Sequence, residues 1–417
     1  MTGSGYGQPP KQKLRITPSA RRIVFLTAII GFISAFAASQ MSHTLPFART
    51  SLDLTEGQMS GIFAGVRAAS LVGVVFSLIA DRSGRRRPLL GAFALVCLAS
   101  LVTAFIPSPL AYVVSQALVR IGVVAVAAIS IVVIAEEVPA NARALALGFY
   151  GLAGSMGVGF GLILLPIAEG TDNAWRLLFG IASLGLFAFP VLNRFLPESR
   201  AFVAAPAFPF TKALGMGLGK HFWPLAGVSF FVAAFSSPAF DFVLERLIND
   251  LDWDTGAARF LLILFSGVGT IGLLVGGRLA DRIGRRPTSA IAIAIGLVGG
   301  IGFYTLDSGW FLAISIFLST LGATMLTPSL AAQRTELFPT RLRATAGGWI
   351  TNIAIAGSIT GFLGGAVMID RYGLAVTMSF LGLGLIIAIL LVLRLPETKG
   401  TDLVRRKADP SGASQQM

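Results

Sequence analysis

A polar motif, Ala-Asp-Arg-x-Gly-Arg-Arg, stands at residues 80–86 and again at residues 280–286. Its glycine permits a tight turn, because glycine adopts backbone angles that other residues avoid. Its arginines are permanently charged and need carboxylates, phosphates or water around them. Its aspartate can pair with an arginine or stabilise a helix N-terminus. One such loop could be a topology signal only, whereas two matching copies favour a shared role in gating.

Carboxylates in other segments are the expected partners of these loops. We expect each loop to form a charged network that closes one side of the protein and breaks when that side opens. The alternative is that the loops only set the topology. The predicted gate consists of Asp81, Arg82, Gly84, Arg85, Arg86, Glu136, Arg143 and Glu198, and of Asp281, Arg282, Gly284, Arg285, Arg286, Glu336, Arg343 and Glu397.

Two arginines interrupt long apolar stretches, where a charge is costly and usually marks a transport pathway or a buried pair. Arg120 stands near the middle of its stretch. Arg67 lies 14 residues before Asp81, roughly 21 Å along a helix that rises ~1.5 Å per residue. Both are candidates for binding an anionic or polar substrate. For each, the alternative is a structural pair between helices.

Asp241 and Glu245 are four residues apart, just beyond Pro238. This spacing places both carboxylates on one face of a helix. A carboxylate in a poorly solvated cavity binds protons more readily than one in water. Asp241 and Glu245 are therefore candidates for proton coupling, or else they belong to a solvated helix end. Gln40 and His43 are further candidates for contact with substrate, or else polar residues of a helix interface.

The composition requires a membrane around most of the chain. Of 417 residues, 54% are hydrophobic and 13% are charged, and the mean hydropathy is +0.78. Soluble domains have about 25% charged residues. The single cysteine, Cys97, allows no internal disulfide, and with only two histidines the chain has no zinc-binding pattern. We therefore expect lipids as partners, no metal site and no cofactor.

Twelve apolar runs are long enough to cross a membrane as helices, which need about 20 mostly apolar residues. The sequence thus predicts an all-α integral membrane protein. Predicted helices 1 to 12 begin near Arg22, Gln58, Pro88, Pro109, Arg143, Ala174, Phe222, Gly256, Thr288, Gly309, Thr345 and Gly373.

The positive charges predict the orientation, because Lys and Arg collect in cytoplasmic loops. With a cytoplasmic N-terminus, 26 of the 33 positive residues fall in cytoplasmic segments, four in outer segments and three within helices. We therefore expect both termini in the cytoplasm and the chain in the plasma (inner) membrane. No basic stripe lies on a polar, foldable segment, so nucleic acid is not an expected partner.

The chain repeats after a shift of 200 residues. Glu136, Pro139 and Arg143 recur as Glu336, Pro339 and Arg343, in addition to the repeated loops. Six helices in each half then run in the same direction, which predicts two pseudo-symmetric six-helix bundles with a site between them. The predicted boundaries are an N-terminal tail 1–21, bundles 22–197 and 222–396, a cytoplasmic linker 198–221 and a C-terminal tail 397–417.

The sequence resembles the major facilitator superfamily over nearly its whole length. Loops 80–86 and 280–286 look like the signature after helix 2 and its copy after helix 8. Residues 336–343, Glu-Leu-Phe-Pro-Thr-Arg-Leu-Arg, resemble a segment of the sugar-porter and metabolite–proton symporter branches. Residues 197–200 and 396–400 resemble the sugar-porter motifs after helices 6 and 12.

Three departures from these branches leave the substrate open. Residues 233–241 lack the glutamine-rich pattern typical of sugar porters, and helix 1 lacks the acidic residues of aromatic-acid symporters. Helix 5 lacks the Gly-Pro pair of drug antiporters. It carries instead glycines 148, 151, 154, 157, 159 and 161, which predict close helix packing, with a flexing role as the alternative.

The sequence therefore predicts a secondary transporter, not an enzyme, that moves a sugar or organic acid by alternating access in symport with protons. The nucleotide-binding pattern Gly-x-x-x-x-Gly-Lys-Ser/Thr is absent, which favours an ion gradient as the energy source. The first alternative is a proton-driven efflux antiporter of drugs or metabolites. The second is a receptor on the same scaffold that does not transport. The expected partners are a small-molecule substrate, protons and lipids, and the chain is expected to act as a monomer.

Overall fold

The computed structural model describes residues 17–106, 108–139, 142–198, 219–338 and 340–399. These residues form helices and connecting turns, with no strand among them. Most of the two predicted tails and of the predicted linker lies outside the described residues. The side chains of Asp81, Arg143 and Arg343 also lie outside the description.

Six helices form the N-terminal bundle. Helix 1 is Pro18–His43, and a short helix, Leu45–Ser51, follows it. Helix 2 consists of Glu56–Ala69 and Val74–Ser83, which are joined by the 3-10 turn Ser70–Gly73. Helices 3 and 4 are Arg86–Phe105 and Pro109–Glu137. Helix 5 is Arg143–Leu164 with a 3-10 extension, Leu165–Glu169, and helix 6 is Trp175–Phe195.

Six more helices form the C-terminal bundle. Helix 7 is Gly219–Asp241, and the turns Val243–Glu245 and Arg246–Asp250 follow it. Helix 8 is Thr255–Ile283 and includes one π-helical turn, Leu262–Ser266. Helices 9 and 10 are Arg285–Thr305 and Gly309–Leu337. The run Thr340–Leu393 contains helices 11 and 12, which meet at Gly373, where φ is 76°.

Twelve membrane crossings account for these helices. In the described part of the chain, ten helical segments are long and apolar enough to cross a membrane. One of them, Ala346–Leu393, has 48 residues and provides two crossings, since about 20 residues suffice for one. Helix 2 is the remaining crossing: its break at 70–73 and its charged residues, including Arg67, interrupt the apolar run. The all-α fold of twelve helices predicted from the sequence is confirmed.

Glycines allow helix 5 to approach helix 1, and helix 11 to approach helix 7. A side chain at Gly157 would overlap the carbonyl oxygen of Phe32, and one at Gly357 would overlap that of Phe230. Gly148, by contrast, has no atom within 4 Å of its position for a side chain. The structure therefore confirms close packing for part of the predicted glycine stripe, and in both bundles.

The two bundles meet at one end. We define the inner end as the one that carries loops 80–86 and 280–286, and the outer end as the opposite one. The hydrogen bonds and ion pairs described between the bundles lie in the outer half. They join Ser42 and Arg67 to Asp241, Arg49 to Glu245, Thr55 and Gly57 to Asp370, Ser60 to Phe362, and Arg259 to Ile163.

Candidate functional site

At the inner end of the N-terminal bundle, Arg85 connects three helices. Its Nη2 lies 3.2 Å from Oε1 of Glu136 at the end of helix 4, and its Nη1 donates to the carbonyl oxygen of Ala80. Its backbone N–H donates to Oε1 of Glu198, which also accepts from the backbone N–H of Arg86 at 3.1 Å. Glu198 thereby caps the start of helix 3, where a negative charge is stabilising.

The C-terminal bundle repeats this arrangement. Nη2 of Arg285 lies 3.1 Å from Oε1 of Glu336, and Nη1 lies 2.9 Å from Oδ1 of Asp281. Glu397 accepts from the backbone N–H groups of Arg285 at 2.8 Å and Arg286 at 3.1 Å, which caps helix 9. The sequence predicted these residues to face one another, and the structure brings them together.

Both networks depend on a glycine turn. Gly84 and Gly284 have φ angles of 98° and 111°, in a region that residues with a side chain rarely adopt. A side chain at either position would also meet the carboxylate of Glu198 or of Glu397. The glycine of the motif is therefore required by both the turn and the helix cap.

Hydrogen bonding controls the protonation of Glu397. Partial burial on its own would raise the pKa of this carboxyl group, but the backbone N–H groups of Arg285, Lys399, Arg286 and Thr398 outweigh it and hold the pKa below the ordinary value. Because the pKa is lowered, the stabilising effect of the cap is present at neutral pH and is lost only as the pH falls through the lowered value.

Some predicted gate residues are not part of these contacts. The side chains of Arg82 and Arg282 are exposed and form no hydrogen bond within the described residues. The side chains of Asp81, Arg143 and Arg343 lie outside the description. Each described network joins helices of its own bundle, and both are formed while the bundles are joined at the outer end. Whether the networks break during transport stays a prediction.

A second polar cluster lies between the bundles, at the outer end of helix 7. Oδ2 of Asp241 lies 2.9 Å from Nη2 of Arg67, and Oδ1 accepts a hydrogen bond of 2.6 Å from Oγ of Ser42. Asp241 is only 2% exposed, so it is not part of a solvated helix end. The guanidinium of Arg67 also lies over the ring of Phe362, 5.7 Å from its centre. Asp241 thus contacts two helices of the opposite bundle.

Arg120 lies beside this pair. A small pocket on one side of Asp241 is lined by Ser42, Arg67, Gln116 and Arg120. Within the described residues, the Arg120 guanidinium forms no hydrogen bond and no ion pair. The cluster therefore has two arginines for one carboxylate, which gives it spare capacity for an anion.

Gln40 and His43 lie between helix 1 and helix 5, and both are buried. Nε2 of Gln40 donates to the carbonyl oxygen of Phe36 at 2.9 Å, whereas its Oε1 and the Nδ1 of His43 have no hydrogen-bond partner among the described residues. A side chain at Gly161 would lie 2.6 Å from Nε2 of Gln40 and 2.7 Å from Nδ1 of His43. Gln40 therefore belongs to the helix interface, and His43 also lines the central cavity.

Glu245 is fully buried one turn beyond Asp241. Its Oε1 lies 2.6 Å from Nε of Arg49 in the short helix after helix 1 and accepts a hydrogen bond of 2.7 Å from Asn249. Asp241 and Glu245 therefore both face the N-terminal bundle and bind arginines there. Glu245 serves as part of an outer connection between the bundles.

A cavity of about 650 Å³ opens beside the cluster. Its polar groups include Ser42, His43 and Arg67, while most of its wall is apolar, with Phe235 and Leu326 among the lining residues. Pockets of this kind, apolar with a few placed polar groups, bind small molecules. Within the described ranges, no group of three or more His, Cys, Asp or Glu side chains could hold a metal ion.

The sequence analysis missed three partners of this site. Ser42 and Arg49 bind Asp241 and Glu245, and Asp370 of helix 11 accepts hydrogen bonds from Oγ1 of Thr55 and the backbone N–H of Gly57 at the start of helix 2. A signal existed for Arg49, since only four positive residues lie in the predicted outer segments. For Ser42 and Asp370 no signal in the sequence indicated the contact.

Comparisons with known proteins agree with this architecture. The sequence profile of the Major Facilitator Superfamily matches residues 23–223 and 222–415. A gallate transporter of Pseudomonas putida is 28% identical over 421 residues, which cover 89% of this chain and 90% of the relative. A probable 4-methylmuconolactone transporter of Cupriavidus pinatubonensis is 24% identical over 380 residues, with 88% of each chain covered.

Solved structures show the same fold. The inward open conformation of the xylose transporter XylE from E. coli superimposes with a TM-score of 0.75 at 17% identity, over 93% of this chain and 99% of that one. The helices, the repeated loops and the profile match over both halves lead to one conclusion. The chain belongs to the Major Facilitator Superfamily.

Proposed function

We propose that this protein is a proton-coupled symporter that imports a small organic acid anion by alternating access. The observation that carries this proposal is the ion pair between Asp241 and Arg67, which is buried, crosses the two bundles and lies at the cavity. Such a pair can exchange one partner for a substrate, which a purely structural pair inside one bundle does not do.

Protonation of Asp241 is the coupling step. A neutral Asp241 no longer attracts Arg67, so the guanidinium becomes available to the carboxylate of a substrate, which it can bind through two hydrogen bonds. One proton and one carboxylate then enter together, and the net charge of the site does not change. An uncompensated buried charge is costly, so the site favours the two ligands together over either one alone.

The remaining groups match such a substrate. Arg120 offers a second guanidinium beside Asp241, and Ser42 and His43 offer polar atoms at the cavity. The apolar wall, including Phe235 and Leu326, suits the body of an aromatic or unsaturated acid. Gallate, named for the relative in Pseudomonas putida, is a carboxylate with an aromatic ring, which supports this choice over a sugar.

Alternating access requires the two bundles, residues 22–197 and 222–396, to rock about the cavity. The outer connections of Arg49 with Glu245 and of Asp370 with helix 2 must then open to admit substrate. We propose the orientation that the charge distribution predicts, with both termini in the cytoplasm and the chain in the plasma membrane. A reporter active only outside the cytoplasm, fused to the C-terminus, should stay inactive, and strong activity would reverse the orientation.

Uptake into proteoliposomes tests the proposed function. With an inside-alkaline pH gradient, purified protein should accumulate radiolabelled gallate or benzoate, and collapse of the gradient should stop accumulation. Myo-inositol and xylose serve as uncharged competitors and should not inhibit. Inhibition by the sugars without uptake of the acids would contradict the proposal. Extrusion of cationic dyes driven by the gradient would support the antiporter instead.

A further inference from the structure

Arg334 lies on the cavity-facing side of helix 10, nearer the inner end. Ala323 of the same helix lines the cavity, and Arg334 follows it by 11 residues. Eleven residues are close to three full turns at about 3.6 residues per turn, so the two side chains leave the helix in nearly the same direction. At ~1.5 Å per residue, Arg334 lies roughly 16 Å further towards the inner end.

Ser229 on helix 7 meets Arg334 from the opposite wall. Nη2 of Arg334 donates to Oγ of Ser229 at 2.7 Å. Ser229 is 4% exposed and precedes Ser236, which lines the cavity, by seven residues. Seven residues are about two turns, so Ser229 also continues the cavity-facing side of its helix. The contact therefore lies on the path from the cavity to the inner end.

Among the described residues, no carboxylate compensates the charge of Arg334. Arg67, Arg85 and Arg285 each lie within 3.2 Å of a carboxylate oxygen, whereas Arg334 forms no ion pair within the described residues. Its Nε is buried and has no hydrogen-bond partner in the part of the chain that the structure describes. A charge in such a position is costly and usually marks a transport pathway.

The repeat gives an independent indication. The position equivalent to Arg334 in the N-terminal bundle, 200 residues earlier, is Ile134, which is fully buried. The position equivalent to Ser229 is Ile29. A residue needed for the bundle fold recurs in both halves, as Arg85 and Arg285 do. Arg334 and Ser229 occur in one half only, as Arg67 and Asp241 do.

We propose that Arg334 and Ser229 form a second binding site for a carboxylate, between the cavity and the inner end. The identity of the anion as a transported organic acid rests on the proposed function. When Asp241 gives up its proton, it pairs with Arg67 again and displaces the substrate carboxylate. The guanidinium donors of Arg334 that Ser229 does not use then bind this carboxylate. An anion then passes between two cationic sites, while cations are repelled from the inner end of the path.

Charge-selective labelling tests this site without a substrate. Thr327 lies on helix 10 between Ala323 and Arg334, and its side chain is exposed. In a background without Cys97, Thr327→Cys is labelled from the inner side by an anionic and a cationic methanethiosulfonate of similar size. Adding Arg334→Gln should lower the ratio of anionic to cationic labelling rates about threefold or more, as expected for loss of a nearby unit charge. Arg334→Lys should keep the ratio.

Arg87→Gln is the matched control, because Arg87 is an exposed arginine at the inner end of helix 3. It removes the same charge without touching the path and should leave the ratio unchanged. An unchanged ratio in Arg334→Gln, or an equal fall in Arg87→Gln, would overturn the proposed site.

Transport of gallate separates this proposal from the proposed function. Arg334→Gln should raise the KM for gallate offered from the inner side about tenfold, equivalent to one lost charge-assisted contact, and leave the KM from the outer side unchanged. If the native protein transports no organic acid but the labelling ratio still depends on Arg334, the anion site stands and the proposed function fails. If transport is present and neither measurement changes, the site fails and the proposed function stands.

Discussion

The inner networks and the polar cluster around Asp241 are built from the same kinds of side chain but differ in symmetry. At the inner end, Arg85 with Glu136 at 3.2 Å is matched by Arg285 with Glu336 at 3.1 Å, and both turns use a glycine with positive φ. In the polar cluster between the bundles, the N-terminal bundle supplies Arg67 and Arg120 and the C-terminal bundle supplies the one carboxylate, Asp241.

This difference fits the proposed function, in which the inner networks shape the bundles and the cluster around Asp241 binds substrate and protons. Each inner network stays within one bundle and caps the next helix, so it is required twice. The pair of Arg67 and Asp241 crosses the bundles, and the repeat positions of these two residues are Gly267 and Met41. We infer that asymmetry marks the residues that meet substrate and protons.

The largest effects are expected at the ion pair of Asp241 and Arg67. Asp241→Asn should lose gradient-driven uptake about 100-fold, because the proton-binding group is absent, and should keep gradient-free exchange. Arg67→Gln leaves a buried carboxylate without its partner, which costs about 3–5 kcal/mol, so both thermal stability and transport should fall. The double variant should recover stability relative to Arg67→Gln alone, but not transport. Equal activity of Asp241→Asn in both assays would exclude Asp241 as the proton carrier, and the next candidates would be Glu136 and its neighbour Glu137, the last residue of helix 4.

The outer connection should have the next largest effect. Arg49→Gln removes the ion pair of buried Glu245 across the bundles, so the outer end should open more often. A cysteine at Ala239, which lines the cavity, should then react about 5–10-fold faster with an impermeant reagent added outside, equivalent to ~1 kcal/mol or slightly more.

Arg246→Gln is the matched control for Arg49→Gln. Arg246 is also an outer arginine, but its partner Asp307, at 2.6 Å, belongs to its own bundle. The labelling rate should therefore stay near that of the native protein. Equal acceleration by both substitutions would mean that outer charge alone, and not the connection between the bundles, controls opening.

A smaller effect is expected from packing beside the site. Gly161→Ala would displace Gln40 and His43, and overpacking of this kind costs about 1–3 kcal/mol. Melting temperature and transport should both decrease. Gly148→Ala is the control, since no described atom lies within 4 Å of its position for a side chain, and its stability should differ from that of the native protein by less than about 0.5 kcal/mol. If the two alanine variants have the same melting temperature and transport rate, the close contact of Gly161 with helix 1 does not determine stability or transport.

The smallest effects are expected at the inner networks. Glu136→Gln and Glu336→Gln each remove one partly exposed pair, worth about 0–1 kcal/mol, while the helix caps of Glu198 and Glu397 remain. Transport should slow about two- to fivefold, with normal expression, and inner cysteines should label faster in a background without Cys97. Asp81→Asn should act in the same direction. Very different effects of the two glutamate variants would contradict the proposed equivalence of the two networks. Normal transport together with native labelling rates would mean that the loops only set the topology.

Much of the architecture could be predicted because it depends on local patterns. Helices 4, 5 and 10 begin at the predicted residues Pro109, Arg143 and Gly309, since hydropathy and prolines mark where a membrane crossing starts. The inner networks could also be predicted, because a repeated motif identifies both the charges and their equivalents. The break in helix 2 at Ser70–Gly73 and the π turn of helix 8 could not, since both depend on packing against other helices.

The twelve crossings, the repeat and the depth of Arg67 follow from the sequence, because rise along a helix is a constant of the backbone. Arg334 was counted among the cytoplasmic charges, and the structure corrects this, since Arg334 lies within helix 10. The sequence left open whether Arg67 binds substrate or a protein carboxylate and whether Asp241 is solvated. The structure shows that these two residues, 174 positions apart, meet between the bundles, and that Arg334 meets a serine and no described carboxylate. Such pairing depends on how each helix is rotated and which neighbour it faces, and both are set by packing across the whole molecule.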